Sequence, residues 1–214
     1  MKKKSLKSKY FFGAKNSDHV SVSGLGYREF MLLLEWDNEV KSYFQPEMEI
    51  ILKDVNKSLK IDFWVERSSG ITELVHLYCN EALDGDLLRG GHEHAEKLHC
   101  VFKPARIHDF INCRRLKNIE ALWDYDGDVG MIYLSLLETF MKTGLPKRLL
   151  ELKRIFQFNG LDPNIVYTLI FHRTIEIDIN CPVTDETEFS VSSSFICQPL
   201  DSQQPIQKSF LEDF

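Results

Sequence analysis

Between residues 24 and 66 the apolar period of the chain shifts from about 3.6 to 2, and that shift limits what it can fold into. Apolar side chains at 27, 30, 31 and 34 share one face of a helix that runs into Leu34-Glu35-Trp36-Asp37. Residues 41–51 and 59–65 then read as strands, with Gln45-Pro46 as a turn signal. In the second strand Phe63 and Val65 fall on one face, Asp62 and Trp64 on the other. Ser68-Ser69-Gly70 makes a turn, and 72–79 alternates as the next strand. Helical spacing returns over 90–102, and 105–111 reads as a short strand. Helix, three strands, helix, strand is the order of an α/β domain.

From about residue 112 helical periodicity takes over. Residues 116–123, 129–141 and 146–158 are helical stretches separated by Asp-Gly and Thr-Gly-Leu-Pro breaks, and Asp128 is placed to cap the second. Asp162-Pro163 supplies an N-cap and a first-turn proline for a fourth helix to about residue 172. If this unit reads DNA, the fourth helix is its recognition helix, with Asn164, Tyr167, Thr168, His172 and Arg173 as exposed candidates. Residues 174–179 alternate like a strand that 188–191 can pair with. The predicted organisation is a basic flexible arm at 1–20, an α/β domain at 21–112, a helical winged-helix-like domain at 113–197 and an extended tail at 198–214.

A net charge of −6 argues against a protein that coats nucleic acid by bulk attraction, but the charge is uneven. Lys2, Lys3, Lys4, Lys7 and Lys9 load the arm, and Arg114, Arg115 and Lys117 form a second basic cluster. These are the candidate DNA-phosphate contacts. In the acidic tail, Phe210, Leu211 and Phe214 are candidate anchors for a partner groove. Five cysteines, odd in number and without framework spacing, fit a reduced cytoplasmic compartment. No run of eighteen apolar residues exists, so no membrane span is expected. His92, Glu96 and His99 have a helical zinc spacing that a plain surface helix explains equally well. Glu35 reads as a solvated helix residue.

The segments Tyr27-Arg28-Glu29-Phe30-Met31-Leu32-Leu33-Leu34-Glu35-Trp36-Asp37, Gln45-Pro46 and Lys60-Ile61-Asp62-Phe63-Trp64-Val65-Glu66 together resemble the opening of the nuclease domain of the TnsA family. That family comprises the small endonuclease subunits of two-subunit bacterial cut-and-paste transposases. Residues 111–122 are similar to its domain junction, and 169–182, with Ile175-Glu176-Ile177-Asp178-Ile179-Asn180-Cys181-Pro182, to the end of its helical C-terminal domain. The resemblance implies a restriction-endonuclease-like N-terminal domain. Such a site carries a helix Glu, a strand Asp, then a Gln or Glu and a Lys on the next strand, with the carboxylates holding Mg²⁺.

Carried onto this chain, the strand Asp is Asp62, and the helix position falls on Tyr27. Counted without a gap, the second-strand pair falls on Tyr78 and Asn80. A phenol of pKa about 10 is a poor Mg²⁺ ligand near neutral pH, and Asn80 carries no charge. Glu29 is the nearest alternative carboxylate on the helix, although residues two apart point roughly 200° from each other. Glu81 lies near the strand end. Asp62 and Glu29 are therefore the candidate catalytic residues and Asp62 the candidate metal ligand, with Mg²⁺ as cofactor only if the site works. The resemblance implies transposon-end DNA, a DDE transposase subunit and an AAA+ ATPase regulator as partners. The expected function is a catalytically degenerate TnsA-like scaffold. The alternatives are an active Mg²⁺-dependent DNA endonuclease and a two-domain interaction protein unrelated to transposition.

Overall fold

The computed structural model describes residues 13–16, 24–125, 127–144 and 146–192, together with the backbone at 10, 11, 20 and 21. Lys2, Lys3, Lys4, Lys7 and Lys9 of the arm, and Phe210, Leu211 and Phe214 of the tail, lie outside the described residues. The chain divides into two compact units, Met1–Ile119 and Glu120–Phe214. The division falls inside a helix, past the 112–113 boundary read from the sequence.

The first unit contains β1 (Tyr10–Phe11), β2 (Val20–Ser21), α1 (Tyr27–Trp36), β3 (Val40–Phe44), β4 (Met48–Leu52), β5 (Lys57–Ile61), β6 (Phe63–Arg67), β7 (Thr72–Tyr78), α2 (Gly85–Lys97), β8 (Val101–Arg106) and α3 (Ile107–Phe110). Helix α4 (Arg114–Leu122) crosses the division. The main sheet has the order β3-β6-β7-β8. Strands β3, β6 and β7 are antiparallel, whereas β8 runs parallel to β7. Helix α2 provides the crossover that parallel neighbours require. Strands β4 and β5 form a separate antiparallel hairpin.

The alternation in β6 divides the core into two layers. Phe63 is fully buried and meets Tyr27 and Phe30 of α1 at ring-centroid distances of 5.6 and 5.3 Å, and Tyr43 of β3 at 6.3 Å. Its neighbour Trp64 packs against the opposite cluster of Ile50, Leu59, Ile61, Leu74, Ala95 and Phe102. That cluster joins the hairpin, α2 and the sheet. Burying side chains of this size contributes about 1.5–3 kcal/mol each, so both layers stabilise the sheet.

Several element boundaries differ from the sequence reading. The 41–51 strand is two strands in two sheets, because Pro46 has no N–H to donate and the chain leaves the ladder there. The 59–65 strand is likewise broken at Asp62. Residues before it pair with β4, and residues after it pair with β3 and β7. Helix α2 begins at Gly85 rather than at residue 90, capped by the Asp84 carboxylate, which accepts from the amides of Asp86 at 2.9 Å and Leu87 at 3.4 Å. Residues 107–110 are helical, not extended.

The second unit holds a 3₁₀ turn at Trp123–Tyr125, then α5 (Met131–Thr143), α6 (Leu149–Phe158), α7 (Ile165–Phe171), β9 (Ile175–Glu176) and β10 (Ser190–Val191). Leu137, Leu149, Leu152, Phe156, Val166, Leu169, Ile170 and Ile175 are buried, and Tyr133 stands edge-on to Phe156 at 5.2 Å. Strands β9 and β10 pair antiparallel over two residues each, the pairing expected of 174–179 and 188–191. Asp128 does not cap α5, whose cap position is Gly130. Among the described residues no helix is long and apolar enough to cross a membrane.

Candidate functional site

Asp62 stands where the chain leaves the hairpin and enters the main sheet, and its N–H donates to the Val75 carbonyl at 2.8 Å. That break turns its carboxylate into the space between the first turn of α1 and the end of β7. Only 3% of the side chain is exposed. Oδ1 accepts a short hydrogen bond from the Tyr27 hydroxyl. Oδ2 accepts from the Leu77 amide at 2.7 Å and lies 3.2 Å from Nδ1 of His76. The same Nδ1 is 2.8 Å from the Lys60 carbonyl oxygen. Both of its partners are acceptors, so Nδ1 carries the hydrogen. Lys60 Nζ donates to the Tyr27 hydroxyl at 3.4 Å and sits 3.6 Å from Asp62 Oδ1. Tyr78 stacks on the His76 ring, with centroids 6.4 Å apart and planes 12° from parallel.

Burial pushes the Asp62 carboxyl up, but the hydrogen bonds from His76, Tyr27 and the Leu77 amide outweigh it and hold the group below the usual Asp value. Burial, reinforced by the hydrogen bond and charge of Asp62, raises the Tyr27 phenol well above its ordinary value. Tyr27 therefore stays a protonated donor at any physiological pH. Mg²⁺ asks for oxygen lone pairs in near-octahedral array. Here the Asp62 oxygens face O–H and N–H donors, and the surrounding groups are a phenol, a ring N–H and an ammonium. That donor set does not fit the ion. Among the described residues no group of three or more His, Cys, Asp or Glu is arranged to hold a metal, the His92–Glu96–His99 spacing included.

Tyr27 thus faces Asp62. Glu29 is half-buried, two residues along and roughly 200° around the helix from Tyr27, and is not brought to Asp62. On the next strand, His76 and Tyr78 take the positions that gapless counting gave to Tyr78 and Asn80. The register pairs Phe63 with Val75, which sets residue 76 beside 62, and Asn80 lies exposed past the strand end. No local signal in the sequence picks out His76, whose place beside Asp62 is set by strand register. Glu81 is exposed, and its carbonyl accepts from Arg106 at 3.4 Å. Arg114 and Lys117 are exposed on α4, whereas Arg115 is half-buried with a buried Nε that has no hydrogen-bond partner.

An open cleft of about 510 Å³ adjoins this centre, lined by Gln45, Pro46, Glu47, Met48, Glu49, Lys60 and Asp62. At the far end of α1, Glu35 is not a solvated residue. Its carboxylate accepts from the amides of Ala14 and Lys15 at 3.1 and 3.2 Å and from the Tyr43 hydroxyl at 2.8 Å. Lys15 Nζ donates to the Leu34 carbonyl at 3.1 Å, satisfying an end carbonyl of the helix. Residues 13–16 of the predicted flexible arm are therefore fastened to the domain. Helix α7 also departs from expectation. Thr168 is buried, the Tyr167 hydroxyl accepts from Lys153 at 2.8 Å, and Nε2 of His172 lies 2.8 Å from the Gly127 carbonyl. Of the five candidates, Asn164 and His172 are exposed as expected, Tyr167 and Arg173 are half-buried, and only Thr168 is withdrawn into the core.

No protein-family model matches the chain, and no curated protein matches it.

Proposed function

We propose that this chain is a TnsA-like subunit of a DNA transposition complex, built on a nuclease fold whose metal site has been replaced by a hydrogen-bonded tie. The contact between Tyr27 and Asp62 carries this reading. By the resemblance, the family's metal-binding helix carboxylate falls at Tyr27, and the Tyr27 hydroxyl donates to Asp62, which supports the reading. The order helix, strand, strand, strand, helix, strand around a mixed sheet supports a restriction-endonuclease-like first unit, with the β4–β5 hairpin as an insertion. Three helices followed by the β9–β10 pair support a winged-helix-like second unit.

In this role the protein works through its surfaces, in the cytoplasm, as a scaffold. The first unit touches transposon-end DNA and a DDE transposase subunit, and the second touches an AAA+ ATPase regulator. An active endonuclease is the weaker reading, because Asp62 would have to shed three protein donors before it could accept a divalent ion. The test is co-expression with the transposase and ATPase genes that should neighbour this one, followed by purification of the full-length chain. A stable complex with the transposase is expected. Absence of both neighbouring genes, or failure of the purified transposase to associate, overturns the proposal.

A further inference from the structure

We infer that the first turn of α4 is a phosphate site and holds one backbone phosphate of nucleic acid. The inference rests on the DNA-binding reading above and names the residues and ligand chemistry of one such contact. Arg114, Arg115 and Lys117 put three positive charges into the first four residues of the helix, and its first turn has no acidic residue. The start of a helix is the positive pole of its macrodipole and favours Asp and Glu, so cations gathered there repel the dipole and one another. An anion arriving from outside the chain relieves both repulsions.

Two kinds of donor are open at this end. Cys113 caps the helix: its carbonyl accepts from the Lys117 amide at 3.4 Å, and its Sγ from the Leu116 amide at 3.4 Å. The Arg114 and Arg115 amides remain, and among the described residues neither meets an acceptor. The side chains are open as well. Arg114 and Lys117 are exposed, three residues apart on one face of the helix. Among the described residues no carboxylate pairs with either. Arg115 lies about 100° around the helix from Arg114 and is half-buried. Its buried Nε has no hydrogen-bond partner, and Asp37, the carboxylate that its charge reaches, is already bonded to Arg67 at 2.6 Å. A buried donor left unpaired is costly, which marks Arg115 as waiting for an acceptor. Side chains lean toward the N-terminus of their helix, so all three cations lie over the turn with the open amides. Backbone N–H groups, a dipole end and guanidinium forks are together the donor set of a phosphate. The exposed face of Arg114 and Lys117 admits a phosphate carried on a polymer backbone.

The experiment measures binding of the full-length protein to a labelled short duplex of mixed sequence, in EDTA, across a salt series. The double variant Arg114→Ala, Lys117→Ala is compared with the wild type and with Lys53→Ala, Lys97→Ala, which removes two exposed cations elsewhere in the first unit. Losing one phosphate contact lowers the slope of log K against log salt by about 0.9. That drop is expected for the α4 variant, with affinity reduced several-fold at low salt, whereas the control variant keeps the wild-type slope. The α4 variant should also melt no lower than the wild type, because its cations oppose the dipole. Equal slopes for the two double variants overturn the inference and leave the DNA-binding reading standing. If the wild type binds no duplex at any salt, the inference and that reading fall together. Inorganic phosphate, against chloride at matched ionic strength, is the second arm. Saturable stabilisation of the wild type by phosphate, without duplex binding, would assign the site to a small phosphate instead.

Discussion

At the scale of single residues, Asp62 shows how a charge survives in a protein interior. A buried carboxylate is tolerated where hydrogen bonds replace the water it lost, and its two oxygens receive donors from α1 and β7. Asp62→Asn keeps the shape but sets an N–H₂ against one of those donors. A loss of about 2–3 kcal/mol at neutral pH is expected from denaturant melts. The pH dependence has a fixed sign. The folded-state pKa lies below the unfolded one, so the stabilisation is complete above the unfolded value of about 3.9 and is lost as pH falls through the lowered folded value. The gap in melting temperature between wild type and Asp62→Asn should therefore narrow below about pH 4. A gap that stays constant to the lowest pH at which both proteins fold would contradict this account. The resemblance assigns Tyr27 and Asp62 to one site, whereas local periodicity alone does not pair them. His76 could not be read from the sequence, since its place beside Asp62 depends on a strand break and a register that only long-range pairing sets.

Elements are held by close approaches that sequence periodicity does not register. Helix α2 lies so near the hairpin and β8 that a Cβ at Gly90 would come within 2.3 Å of Leu52, and one at Gly91 within 2.5 Å of Phe102. Its first turn, at 85–88, lies ahead of the 90–102 stretch that reads as helical in the sequence. Gly91→Ala gains about 1 kcal/mol in helix propensity but overpacks the interface at a cost of about 1–3 kcal/mol. Net destabilisation in urea is expected, and a more stable variant would show that the helix can shift freely. The Glu35 latch gives a second test at this scale. A Cβ at Gly13 would fall 1.8 Å from Glu35 Oε1, so Gly13→Ala, like Glu35→Gln, should loosen residues 13–16. Loss of about 1–2 kcal/mol of local stability is expected, read as faster hydrogen exchange at the Ala14 and Lys15 amides. Unchanged exchange at those two amides in both variants would remove the latch. No local pattern announces it, because Glu35 and its amide partners are about twenty positions apart in the chain.

At the scale of the whole molecule, a net charge of −6 leaves the proposed DNA contact to local clusters rather than to the bulk field. A change to helical periodicity could be read near residue 112, but the two compact units divide further on, at Ile119 and Glu120, inside a helix. The state of the centre could not be read, since it depends on which donors surround one carboxylate. The central proposal is that this protein binds DNA without cutting it. It is tested most directly by one titration of full-length protein against labelled duplex DNA, with every sample also resolved for strand breaks in EDTA, Mg²⁺ and Mn²⁺. The account expects equal affinity in all three conditions and intact strands throughout. Cutting that requires Mg²⁺ or Mn²⁺ and disappears in Asp62→Ala would contradict it.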